Sequence, residues 1–118
     1  MTTYRYGRQL NVLAMGKVTG TSSGASISYK TFDGTTLSVR RTGTGKYVIT
    51  MPSSWFSSAS HVFCTATGEG CVVDSSSAWA KATILEKTTT TITIGVSDDA
   101  SANDGSFNFL IMNLNDWY

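Results

Sequence analysis

The carboxylates are the first residues to weigh for chemistry, because three of them gather in one place. Asp98, Asp99 and Asp104, with Asn103 beside the last, fall in the stretch SDDASANDGS (97–106). Such a loop supplies several of the roughly six to eight oxygens that calcium takes, but the spacing does not follow the EF-hand pattern. Turn chemistry explains Asp and Asn there equally well, so no metal is assigned. Glycoside hydrolysis would need a facing carboxylate from Asp33, Glu69, Asp74 or Glu86, and spacing in sequence establishes no such pair. The one histidine, His61, opens HVFCTAT, and any Ser-His-Asp triad would have to use it. With Cys64 and Cys71 it falls short of the four ligands of a structural zinc site. No catalytic residue, metal or cofactor is expected.

Binding is the chemistry that the remaining residues suit. Trp55, Phe56, Trp79, Trp117 and Tyr118 stand outside the clear core pattern. Sugar sites pair an aromatic platform with hydrogen-bonding groups, which makes Trp55, Phe56 and Trp79, with Arg40, Asp98, Asp99 and Asp104, the candidate ligand-binding set. Tryptophan and tyrosine also favour protein interfaces, and the competing reading for each aromatic is packing within the domain. Two adjacent aromatics in a connection, as at Trp55-Phe56, predict one in the core and one at a surface.

The element that must hold such groups is LSVRRTGTGKYVITM (37–51), two alternating runs around a glycine-containing turn, which read as a β-hairpin. Gly43 and Gly45 can take the positive φ that the turn needs. Leu37, Val39 and Arg41 share one face, and Tyr47, Ile49 and Met51 share one on the return strand. Arg41 on an apolar face leaves two readings: the strand ends there and frees it, or it pairs with a carboxylate at an interface. This hairpin is expected at the centre of an all-β domain.

Further strands are expected at NVLAMGKVT (11–19), ISYKTF (27–32, an edge), HVFCTAT (61–67), AWAKATILE (78–86), TITIGV (91–96) and FNFLIMNL (107–114). TGTSSGAS (19–26) reads as a loop and GEG (68–70) as a turn before a short CVV strand. That turn would let Cys64 and Cys71 bridge a hairpin, although two reduced thiols in strands explain them more simply. FNFLIMNL is apolar on both faces, as suits a central strand or one covered by a neighbouring subunit. About eight short strands without a convincing helix predict an antiparallel β-sandwich, jelly-roll-like, over residues 11–118, after a lead-in segment at 1–10.

Composition narrows the partners. Only 14% of the 118 residues are charged, and Ser and Thr fill 34 positions, a surface solubilised by hydroxyls as in extracellular and virion-associated β proteins. A net charge of +1 gives no case for nucleic acid or an anionic membrane. No apolar run approaches a membrane span of roughly 20 residues, and MTTYRYGRQL lacks the apolar core of a signal peptide.

Taken together, LAMGKV, LSVRRTGTGKYVITM, HVFCTAT, ATILEKTTTTITIGV and FNFLIMNL resemble the C-terminal sandwich domains of bacteriophage tail-fibre and other receptor-binding proteins. The resemblance is one of pattern and covers residues 11–114. It implies a virion-associated or extracellular homotrimer that binds a cell-surface glycan or protein without catalysis. Phe107, Phe109, Ile111, Trp117 and Tyr118 are then the expected subunit interface. The alternative is a free-standing lectin-like or small hydrolase domain.

Overall fold

The computed structural model describes residues 12–71, 80–98 and 101–114, and its regular elements are strands apart from one 3-10 turn, Ala59–His61. The strands are β1 (Val12–Thr21), β2 (Gly24–Thr31), β3 (Ser38–Gly43), β4 (Lys46–Thr50), β5 (Val62–Cys71), β6 (Lys81–Lys87), β7 (Thr91–Ser97) and β8 (Gly105–Asn113). They form two antiparallel sheets, ordered β2-β1-β8-β5 and β3-β4-β7-β6. The chain changes sheet at β2–β3, β4–β5, β5–β6 and β7–β8, and its first and last strands pair in the middle of one sheet. This is the expected jelly-roll-like β-sandwich. No helix among the described residues is long and apolar enough to cross a membrane.

Period-two patterning builds both layers. Along β7, Ile92, Ile94 and Val96 are buried while Thr91, Thr93 and Gly95 are half-exposed. Tyr47 and Ile49 of β4 lie beside them and meet Val18, Val62, Phe107, Phe109 and Ile111 from the other sheet. Each such Ile, Val or Phe gains about 1.5–3 kcal/mol from full burial, which makes register the costliest thing to change: a one-residue slip would turn this whole set outward.

Several expectations are corrected. The 37–51 hairpin forms, but β3 is an edge strand and only β4 is interior. Of its two glycines, only Gly45 has a positive φ, +65°. The stretch 19–26 is mostly strand, since Thr21 opposes Gly24 across a two-residue turn at Ser22-Ser23. At GEG there is no turn. β5 runs on through it to Cys71, with Gly68 opposite Phe107 and Gly70 opposite Ser106 and a bulge between. Pairing with β8 satisfies that backbone, and Gly68 is needed for a different reason: a Cβ there would strike the backbone of Ala80. A bulge between Val12 and Ala14 likewise buries Leu13 and Ala14 together.

Trp55 and Phe56 are both in the core, at 7% and 5% exposure, so neither is a surface platform. The indole N–H of Trp55 donates to Asp33 Oδ2 (3.2 Å), its ring tilts against Phe32, and its carbonyl accepts from Asn113 Nδ2 (3.1 Å). The connection 51–61 is thereby folded down over the open end of the sandwich, where two adjacent aromatics can both be covered. The lead-in residues 1–10 lie outside the described residues, as do Trp79, Asp99, Trp117, Tyr118 and the greater part of the expected CVV strand.

Candidate functional site

Among the described residues, the acidic loop that follows β7 does not bring Asp98 and Asp104 together. Asp98 turns back on its own loop, with Oδ1 accepting from the Ser101 N–H (2.9 Å) and Oδ2 from Asn103 Nδ2 (3.2 Å). Asp104 turns inward and is 5% exposed. Its Oδ1 accepts from Arg41 Nε (2.9 Å), the Gly45 N–H (3.0 Å) and the Tyr47 hydroxyl (2.7 Å), and its Oδ2 accepts from Arg41 Nη2 (3.0 Å). Three donors converge on Oδ1 and one on Oδ2, so this nearly buried carboxylate is engaged within the chain rather than presented to a ligand. Among the described residues no three His, Cys, Asp or Glu side chains come together as metal ligands do.

The cluster follows from strand register. Arg41 and Tyr47 oppose each other on β3 and β4, so both side chains point to one face and reach the same carboxylate. The Tyr47 oxygen also accepts from the Gly105 N–H (3.3 Å), tying β4 to the start of β8 in the other sheet. Gly20 of β1 makes room, because a Cβ there would overlap the Tyr47 hydroxyl. The Arg41 fork holds the Asp104 carboxyl down at about 2, against the burial that would raise it and with help from the Gly45 N–H and the Tyr47 hydroxyl. Burial, then the bond to Asp104, pushes the Tyr47 phenol up to about 12. The cluster therefore joins an ionised carboxylate, a guanidinium and a neutral phenol at ordinary pH. Its role is to lock the hairpin to the 97–106 loop, and of the two readings for Arg41, pairing with a carboxylate holds, but inside the chain.

Other candidates are likewise placed in structural work or at the surface. Arg40 is exposed on the edge strand β3. Asp33 accepts from the Thr35 hydroxyl (2.7 Å) and N–H (3.1 Å) as well as from Trp55, and these bonds, the hydroxyl first, hold its carboxyl below the usual range. His61 ends the 3-10 turn, half-buried, with its N–H donating to the Ser58 carbonyl (3.1 Å). Cys64 is half-buried on β5, and burial pushes its thiol up to about 12.

The expected interface on β8 is corrected by one residue. Phe107, Phe109 and Ile111 point into the sandwich at 0%, 4% and 0% exposure, so they pack against the other sheet and offer nothing to a second chain. The alternate set on the same strand, Asn108, Leu110 and Met112, lies on the other face, where Asn108 is exposed, Leu110 half-exposed and Met112 only 8% exposed. On that outer face Met15 opposes Leu110, and Met112 opposes Phe63. Met15, Phe63 and Leu114 are 51%, 36% and 44% exposed, and Phe32, one residue past β2, is 60% exposed. Four of the five exposed large hydrophobics among the described residues thus belong to β2-β1-β8-β5 and its ends; Leu85 lies on the other sheet.

Polar residues close one end of this face. Lys17 Nζ lies 2.5 Å from Glu69 Oε1, and Asn108 Nδ2 donates to Glu69 Oε2 (2.8 Å). Those two bonds, that of Lys17 first, lower the Glu69 carboxyl. Between them and the apolar end lies a shallow depression of about 550 Å³ lined by Met15, Lys17, Ser28, Lys30, Asn108 and Leu110. Sequence reasoning missed Met15, Phe32, Phe63 and Leu110, although the double-sided apolar pattern of FNFLIMNL was the signal for the last. The chain matches no protein-family model, no curated protein and no solved structure in the comparisons made.

Proposed function

We propose that this chain is a non-enzymatic binding and structural module of a phage-type particle, working as a homo-oligomer at the end of a fibre. The resemblance implies three copies, and a cell-surface glycan or protein as the target. The observation that carries this reading is the outer face of β2-β1-β8-β5, where Met15, Leu110 and Phe63 stand on adjacent strands at least part-exposed. Monomeric soluble proteins seldom leave such side chains contiguous, and a surface of this kind marks a contact. The buried charges, by contrast, are spent within the chain, as the Arg41–Asp104 pair illustrates.

Molar mass by light scattering after size exclusion, over a range of concentrations, tests the reading. A stable mass near three times 12.6 kDa is expected. Glycan-array binding by that species would then identify the target class. A single-chain mass at every concentration would overturn the oligomer, and glycan binding by such a monomer would establish the free-standing lectin-like alternative instead.

A further inference from the structure

We infer that the outer face of β2-β1-β8-β5 is the surface on which a second copy of this chain packs, an assignment that rests on the oligomeric reading above and gives it an address. Continuity is the first argument. Met15 and Leu110 are cross-strand neighbours, as are Phe63 and Met112, the last only 8% exposed, so an apolar band crosses β1, β8 and β5 with Met15, Leu110 and Phe63 as its accessible members. Phe32 extends it beyond β2.

Charge argues for a like partner. On the outward positions of the four strands the charged side chains are Lys17, Lys30 and Glu69, and Lys17 and Glu69 neutralise each other. Such a face has no field to match a strongly acidic or basic partner. A second copy, with a net charge of +1, meets little repulsion there.

Area agrees. Four strands about 4.8 Å apart and about nine residues long, at roughly 3.3 Å per residue, make a face of roughly 19 by 30 Å, or about 570 Å² before side-chain relief is added. A stable interface takes about 800 Å² from each partner, which the roughened face approaches. Thr65, Thr67, Ser28 and Asn108 add hydrogen-bonding groups beside the apolar end of the face.

Substitution at exposed positions tests this without touching the core. Met15→Glu and Phe63→Glu place a charge in the band, while Leu85→Glu, 52% exposed on the other sheet, is the control. Mass by light scattering is read for each variant after far-UV circular dichroism has matched it to the parent. Expected is a fall to the single-chain mass of 12.6 kDa for both face variants and the parent mass for Leu85→Glu. An assembled parent whose two face variants stay assembled would overturn the surface and leave the oligomer standing. A parent that is monomeric throughout would overturn both.

Discussion

Arg41 and Asp104, 63 residues apart in sequence, meet in a two-pronged ion pair of 2.9 and 3.0 Å beneath the β3–β4 turn. The pair joins an edge hairpin to the loop that leads into the central strand of the opposite sheet. Arg41 stays 23% exposed and Asp104 is 7% exposed by its side chain, so the arginine keeps part of its hydration while the carboxylate gives up nearly all of its own. Replacement hydrogen bonds from Gly45 and Tyr47 offset that loss.

Asp104→Asn should therefore be costly. An amide cannot accept the Arg41 fork on both atoms, and its own N–H₂ would confront the donors of Arg41, Gly45 or Tyr47. Loss of charged hydrogen bonds at a buried acceptor amounts to about 2 kcal/mol. Urea titration should show a lower midpoint with an unchanged slope. An unchanged midpoint would mean that the hairpin and the loop are not coupled.

Stability should be flat through the middle of the pH range and fall on both sides. The folded Asp104 carboxyl lies at about 2, below its ordinary value of 3.8, so its contribution is present above the latter and is lost as pH falls toward the former. Asp33 and Glu69, also held low, act in the same direction. Tyr47 and Cys64 are raised to about 12 from 10.0 and 9.0, so their contributions are present below those ordinary values and are lost as pH rises toward 12. Unfolding midpoints measured across pH should trace this plateau. Asp104→Asn should shallow the acid limb and Tyr47→Phe the alkaline one.

The two glycines of the hairpin turn should respond in opposite ways to alanine. Gly45 has φ +65°, and a Cβ there would strike Val96 O and come within 2.8 Å of Asn103 O. Gly45→Ala should cost about 1–3 kcal/mol from strain and overlap. Gly43 has neither a positive φ nor any atom within 4 Å of a Cβ. Gly43→Ala should be neutral or stabilise by about 0.4–1 kcal/mol through the unfolded chain. Thermal melts of the two variants separate these outcomes directly.

No disulfide should join Cys64 to Cys71 within one chain. Both lie on β5, opposite Ile111 and Gly105. Seven residues of strand span roughly 23 Å at about 3.3 Å each, against the ~7 Å limit for bridged Cα atoms. Peptide mapping under non-reducing conditions should find no such link, and a reductant should leave the melting temperature unchanged. A mapped Cys64–Cys71 bridge would contradict the continuous strand.

The amino-acid sequence alone determines the fold class, because alternation is local. TITIGV, KYVIT and FNFLI each declare a strand and its inward face within a few residues, and the strong turns announce themselves through Asp33-Gly34 and Gly45. What the long-range partner of each strand will be is not written locally. That is why GEG, which has the composition of a turn, is strand once β8 satisfies its backbone, and why the prominent 37–51 hairpin ends at a sheet edge. The candidate site depended on the same long-range pairing. Asp104 reads as one more loop carboxylate until register brings Arg41 and Tyr47 to it, and Trp55-Phe56 reads as a surface pair until its connection folds over the sandwich. On β8 the composition showed too many apolar residues for one face, but only packing against the second sheet decided that Phe107, Phe109 and Ile111 go in and Leu110 faces out. Burial is a property of the assembled layers, and a strand by itself has two equivalent sides.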